Sequence, residues 1–305
     1  MAERIPIILD TDIADDIDDA AALAFALGSP EFELLGVTVV YGDVVTRAKV
    51  ARRMVAAAGR DVPVLAGWAR PLGYRWRPGA APVACSQASA AAGDEAPVRR
   101  GAAEFIAETV RRRPGEVHVL TIGAMTNAAA AVCSDEDVAG LLAGVVSLAG
   151  YAPPREGRPE WNVRYDPQAA QVLAACGAPW TAIGGDVQGD SGLTPAEFGA
   201  LAAAGGPVSD LLLELIVLMK RNKMDNPDVK GIEDVSGIHV ADVMTLASFL
   251  VPERMDLRRG RAEVDDAGAM GFAPDASGPH RMAFGRLSGG DYRAEIVRRV
   301  LAANP

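Results

Sequence analysis

Hydrophobic and polar positions follow one another along this chain in blocks whose period changes. Residues 5–9 form a short apolar run rich in isoleucine that stops at Asp10, which predicts a strand. Residues 19–27 are rich in Ala and Leu with no polar face, the pattern of a buried helix. A second strand is predicted over 34–41, closed by Gly42-Asp43. A helix with basic residues on one face follows over 44–58, then a third short strand over 62–65. Residues 66–98 are rich in Gly, Pro and Ala and read as a long loop, a feature more often functional than idle in a compact domain. A helix over 102–112 is stopped by Pro114-Gly115. A strand over 117–122, Gly123 and a helix through Val132 come next. Further strands are predicted over 145–148 and 180–183, and helices over 167–175, 195–203, 208–220 and 241–250. Residues 221–238 are polar, and 251–305 mix short β-like pieces with a final helix near 294–303.

Strand alternating with helix predicts an α/β fold with a mostly parallel central sheet flanked by helices. There is no internal repeat and no clean linker, so residues 1–305 are expected to form a single domain. In such sheets ligands sit outside the carboxyl ends of the strands. Three polar signals fall at such ends: Asp10 to Asp19, Gly42-Asp43 and Ile122-Gly123.

The first is the sharpest feature of the chain. Asp10-Thr-Asp-Ile-Ala-Asp-Asp-Ile-Asp-Asp19 places six aspartates in ten residues between a strand and a helix. Two carboxylates 4 Å apart repel by about 1 kcal/mol in water and about 4 kcal/mol near a protein surface. No Lys or Arg within the segment offsets this. Capping and the helix dipole account for two or three of the acids, but not for Asp10 and Asp12, which flank Thr11 and point to one side if the strand continues. A hard cation such as Ca²⁺ or Mg²⁺ is the expected partner. The spacing is not that of an EF-hand, which needs a Gly at its sixth position and a Glu at its twelfth.

Composition narrows the function classes. Lys plus Arg is 30 against 40 for Asp plus Glu, a formal charge of −10, and the isoelectric point is near 4.9. That excludes nonspecific binding to nucleic acid, which needs a basic surface. Half the residues are hydrophobic and mean hydropathy is +0.12, which excludes a disordered chain. Cys85, Cys133 and Cys176 are scattered and odd in number, so neither a disulfide framework nor a zinc cluster is expected. The first apolar run ends at Asp10, unlike a signal peptide, and the run from Val138 to Ala152 is too short to span a bilayer. A soluble, cytoplasmic protein with no membrane partner is the expectation.

With these residues in view, the chain resembles the inosine–uridine-preferring nucleoside hydrolase family. Asp10-Thr-Asp12 followed by Asp18-Asp19-Ala20 is similar to its N-terminal hallmark, with two more residues in the turn than the commonest pattern. Gly36 to Asp43 resembles the second-strand motif, which usually ends Gly-Asn. Leu120 to Asn127 resembles the Gly-Pro-Leu-Thr-Asn turn. Glu160-Trp161-Asn162 with Asp166-Pro167 resembles a Glu-Phe-Asn motif, and His239-Val-Ala-Asp242 a late His-Asp motif. The matches keep chain order over residues 5–250.

The resemblance implies an open, Rossmann-like fold and Ca²⁺-dependent hydrolysis of ribonucleosides to ribose and free base. In that scheme the ion holds the ribose 2′- and 3′-hydroxyls and a water that attacks C1′. Asp12 would be metal ligand and general base. Asp19, the Ile122 carbonyl and Asp242 would complete the protein ligands. Asp18, Glu160, Asn162 and Asp43 would hold the sugar, and Asp10 would support the shell from behind. A role in nucleoside salvage and a homodimer or homotetramer are implied in the same way.

The pattern departs on the leaving-group side. Ala241 stands where many relatives have a His before the late Asp, and His239 is shifted back, equally readable as a pocket or a structural residue. Pro154 stands where a sugar-binding Asn is expected. Trp161 is expected to line the pocket. Trp68 and Trp76, in the long loop, are more readily loop packing. His118 reads as core, and residues 221–228 as either a solvated charged turn or a flap over the substrate. Two alternatives remain: a nucleoside or ribose binder that has lost turnover, and a haloacid-dehalogenase-like phosphatase, suggested by Asp10-Thr-Asp12 alone.

Overall fold

A computed structural model describes residues 4–73, 85–152, 159–187 and 191–305. Trp76 and Pro154 lie outside them. The described residues form one ten-stranded sheet in the order β4-β3-β2-β1-β5-β6-β7-β10-β8-β9. In chain order the strands are β1 (Ile5–Thr11), β2 (Phe32–Val39), β3 (Val64–Ala66), β4 (Arg99–Arg100), β5 (His118–Thr121), β6 (Gly144–Leu148), β7 (Trp180–Ile183), β8 (Asp256–Val264), β9 (Met270–Pro274) and β10 (His280–Phe284). Pairing is parallel from β4 through β7 to β10, and antiparallel only for β10 with β8 and β8 with β9. The expected mostly parallel sheet is therefore present. The tail contributes its three last strands, one of them, β10, parallel to β7.

The helices that matter for the site are α1 (Asp18–Leu27), α2 (Val44–Ala57), α3 (Ala102–Arg112) and α4 (Thr126–Ser134). Further along come α5 (Val138–Leu141), α6 (Trp161–Tyr165), α7 (Pro167–Ala175), α8 (Pro195–Ala204), α9 (Pro207–Asn222), α10 (Val243–Leu250) and α11 (Arg293–Ala302). β1 shows the logic of the two layers. Ile7 and Leu9 join the core under α1, α2, α9 and α10, whereas Ile8 joins the opposite core with α3, α4 and α7. That is the period of two expected of a strand buried on both faces. α1 is apolar all round because it is buried all round, between α11, α10, α2 and α9. Among the described residues no helix is long and apolar enough to cross a membrane.

The strand order reverses at β1, which has β2 on one side and β5 on the other. Open parallel sheets form their ligand crevice at such a switch point. The segments leaving β1 and β5 are the acidic loop and Ile122-Gly123.

Candidate functional site

The acidic loop leaves β1 with two side chains committed to opposite layers. Asp10 lies on the same face as Ile8, and its Oδ1 accepts hydrogen bonds from Thr38 Oγ1 at 2.6 Å and Asn127 Nδ2 at 2.7 Å. Asn127, at the start of α4, also donates to the Val39 carbonyl at 3.1 Å and accepts from the Trp68 amide at 2.8 Å. Gly67 permits this close approach, since a Cβ there would lie 2.1 Å from Asn127 Oδ1. Thr11 faces the other layer and donates to Asp19 Oδ1 at 2.5 Å, which also accepts from the Asp12 amide at 3.1 Å. Asp10 and Asp12 therefore do not share a direction, because β1 ends at Thr11. Asp10 is fully buried and does not line the cavity that Asp12 lines.

That cavity, of about 440 Å³, is lined by Asp12, Asp15, Asp16, Asp18, Asp19, Tyr41, Ile122, Leu148, Glu160, Trp161, Asn162, Lys223 and Asp242. It thus unites eight of the predicted residues from segments far apart in sequence. Carboxylate oxygens of Asp18, Asp19 and Asp242 lie within 4.8 Å of one another. Asp242 is buried at the start of α10, and its Oδ1 has no hydrogen-bond partner. Gly123 lets Asp12 approach the β5 end, because a Cβ there would sit 2.8 Å from Asp12 Oδ1.

Glu160 and Asn162 come from the turn into α6. Both Glu160 oxygens accept from the Asn162 amide at 3.0 Å, and one from Val163, so the carboxylate caps the helix and still lines the cavity. Asn162 Nδ2 donates to the carbonyls of Ile122 at 2.9 Å and Leu148 at 3.1 Å. Its side-chain amide thereby fixes the carbonyl that the family resemblance implies as a ligand. Trp161 is 49 % exposed, edge-on to Tyr41 at 6.4 Å.

Burial dominates the electrostatics. It pushes Asp10 and Glu160 up to about 7 and Asp18 to about 8, and raises Asp12; Asp19 and Asp242 are driven well above the usual carboxylate range. Mutual repulsion adds to this at Asp18, Asp19 and Asp242. Among the described residues, one guanidinium acts on Asp12 and Asp19. Arg47 of α2, fully buried, spends Nη1 on the Ile13 carbonyl and Nε on the Tyr41 carbonyl, both at 2.7 Å, and makes no ion pair with the cluster. The cluster keeps a strong demand for positive charge, and its donors are hard oxygens suited to a Ca²⁺-like cation.

Two predicted residues fall elsewhere. Asp43 caps α2, accepting from Thr46 N at 3.1 Å and Thr46 Oγ1 at 2.6 Å, and does not line the cavity. His239 is exposed beside Gly192 and does not line it either. Trp68 is 45 % exposed outside the lining, with its amide held by Asn127. His118 is half-buried against Phe249, and His280 accepts from the Ala262 amide within the sheet. Sequence reasoning missed Tyr41, Arg47 and the tie between Lys223 and the acidic loop. Lys223 Nζ lies 3.1 Å from Asp15 Oδ2 and 3.2 Å from Asp16 Oδ2. Tyr41 carries one signal in the backbone, a positive φ of 70° just past β2.

The family described as inosine-uridine preferring nucleoside hydrolase matches residues 7–300. "Probable uridine nucleosidase 2" of Arabidopsis thaliana is 27 % identical over 284 residues, covering 88 % of this chain and 84 % of its own. The pyrimidine-specific ribonucleoside hydrolase RihA of Salmonella arizonae is 29 % identical over 225 residues, 70 % of each chain. Among solved structures, the purine-preferring ribonucleoside hydrolase of Gardnerella vaginalis superposes with a TM-score of 0.78 at 22 % identity, covering 98 % of both chains.

Proposed function

The chain belongs to the inosine-uridine preferring nucleoside hydrolase family, and from that premise we propose that it cleaves the N-glycosidic bond of ribonucleosides, with Ca²⁺ held by Asp12, Asp19, Asp242 and the Ile122 carbonyl. The observation that carries the reading is the cluster of Asp18, Asp19 and Asp242 within 4.8 Å, with a buried Asp242 oxygen left unpaired. Burying such a group without a partner costs about 1–3 kcal/mol or more, and a cation in contact with it removes that cost. When bound, the ion orients the sugar hydroxyls and the attacking water and lowers that water's pKa.

The chain's own residues do the rest. Asp12, whose carboxyl burial holds above its ordinary value, accepts a proton from the water as it bonds to C1′. Asp18 accepts from a ribose hydroxyl. Glu160, fixed by the amides of Asn162 and Val163, takes another contact with the sugar. Asn162 holds the Ile122 carbonyl in place and leaves its Oδ1 for the sugar. The ring of carboxylates stabilises positive charge developing on the sugar, as in glycoside hydrolysis generally. Asp43, spent on its helix cap, is assigned no sugar contact. The haloacid-dehalogenase-like alternative explained only Asp10-Thr-Asp12, and Asp10 is buried away from the cavity.

The relatives are named for uridine, pyrimidine or purine substrates, so the test spans both base classes. Release of reducing ribose is measured from inosine, adenosine, guanosine, uridine and cytidine, with Ca²⁺ and with chelator. Chelator-sensitive release, lost in Asp12→Ala, is expected. No release from any of the five by protein that binds Ca²⁺ would replace the enzyme with a binder.

A further inference from the structure

Hydrolysis leaves one chemical demand unmet by the residues assigned so far. When the bond between C1′ and the base nitrogen breaks, its electron pair leaves with the base. An expelled base anion departs slowly unless a proton reaches it. Among the described residues lining the cavity seven are carboxylates, none is histidine, and one, Lys223, is a cation.

Lys223 follows the last turn of α9, and its position is fixed from several sides. Nζ lies 3.1 Å from Asp15 Oδ2 and 3.2 Å from Asp16 Oδ2. Asn222 Nδ2 donates to the Ser86 carbonyl at 2.6 Å, and Ser86 Oγ to the Asp15 carbonyl at 2.7 Å. The buried Gln87 ties the Asp16 carbonyl to the Leu215 carbonyl of α9 through its Nε2, 3.3 Å from each. An ammonium has three N–H donors; two are directed at Asp15 and Asp16, and the third is unspent among the described residues. Burial works to lower the ammonium's pKa, but Asp16 and Asp15 outweigh it and raise it, so the group is charged at neutral pH. Asp15 and Asp16 are part of the turn that is longer than the commonest family pattern.

We propose that Lys223 is the leaving-group acid of this site, the residue that protonates the departing base. This rests on the hydrolase reading above. In the step, the C1′–N bond breaks with its electrons passing to the base, and a Lys223 N–H proton transfers to the base. The water oxygen bonds to C1′ and its proton passes to Asp12. Ribose and the neutral base result, and solvent carries the proton from Asp12 back to Lys223.

The test compares uridine and inosine with p-nitrophenyl β-D-ribofuranoside, whose leaving group departs as a stable anion. Lys223→Met is expected to lose about 100-fold in kcat on the two nucleosides, the usual worth of a general acid, and at most threefold on the nitrophenyl riboside. Lys223→Arg keeps both ion pairs, but a guanidinium does not release its proton, so it is expected within threefold of Lys223→Met on the nucleosides. Equal losses on all three substrates, or wild-type rates in Lys223→Arg, would reduce Lys223 to a tether of the acidic loop and overturn the proposal. A wild-type protein inactive on all three substrates would instead sink the hydrolase reading, and the proposal with it.

Discussion

Asp10→Asn is the cleanest perturbation the site offers, because the structure already separates the two oxygens of Asp10. Oδ1 accepts from Thr38 and Asn127, and Oδ2 is buried without a partner. An asparagine keeps the acceptor and puts its amide where the partnerless oxygen was. Burial lifts Asp10 from the ordinary 3.8 to about 7. Between those values the folded protein holds a proton that the unfolded chain has released, so stability falls as pH rises. The slope approaches about 1.4 kcal/mol per pH unit for one group. From pH 5 to about 7 this amounts to about 3 kcal/mol, a large share of a typical folding free energy of about 5–15 kcal/mol. Urea unfolding of metal-stripped protein at pH 5 and pH 8 reads it out, with the slope of the transition checked for constancy. The wild type is expected to lose stability toward pH 8. Asp10→Asn is expected to lose about 3 kcal/mol less over the same interval. Identical pH dependences in the two proteins would refute the reasoning, and would mean that Asp10 is ionised throughout.

Other consequences follow from the same geometry. Asn162→Leu removes both bonds that hold the Ile122 and Leu148 carbonyls; Ca²⁺ affinity by calorimetry should weaken about 10–100-fold, and unchanged affinity would remove the Ile122 carbonyl from the ligand set. Asp43→Ala should cost about 1 kcal/mol of stability through the lost α2 cap and leave kcat/KM within about tenfold; a stable variant without activity would restore Asp43 to the sugar. Trp161→Ala, at a side chain 49 % exposed, should shift stability by no more than about 0.5 kcal/mol while raising KM for nucleosides, and an unchanged KM would place Trp161 outside the substrate's reach.

The parts of the fold legible in the sequence were those whose apolar runs exceed what a loop tolerates. β1, β2, β5, β6 and β7 follow runs buried on both faces. β4 is two exposed arginines, so only its pairing with β3 makes it a strand. α6 has five residues and is held by its Glu160 cap, not by any periodicity. The charged β8 is exposed at most of its positions, which hides its strand character in a polar pattern. In the site, residues in ordered local motifs were legible: Asp12, Asp18, Asp19, Glu160, Asn162 and Asp242 all reach the cavity. Asp43 has the right residue type at a strand end, but the nearby Thr46 hydroxyl and amide engage it first. Lys223 was read within a charged turn, because its partners Asp15 and Asp16 lie some two hundred residues away. Arg47 looked like one more basic residue on a helix face, and only folding puts it under the acidic loop.

The contact between Gly67 and Asn127 also constrains how this chain can change. Any side chain at residue 67 would collide with the amide that holds Asp10, the Val39 carbonyl and the Trp68 backbone together. The two positions are therefore free to vary only as a pair. A lineage that gives residue 67 a side chain must first give up the amide at 127, leaving Asp10 with Thr38 as its one remaining donor.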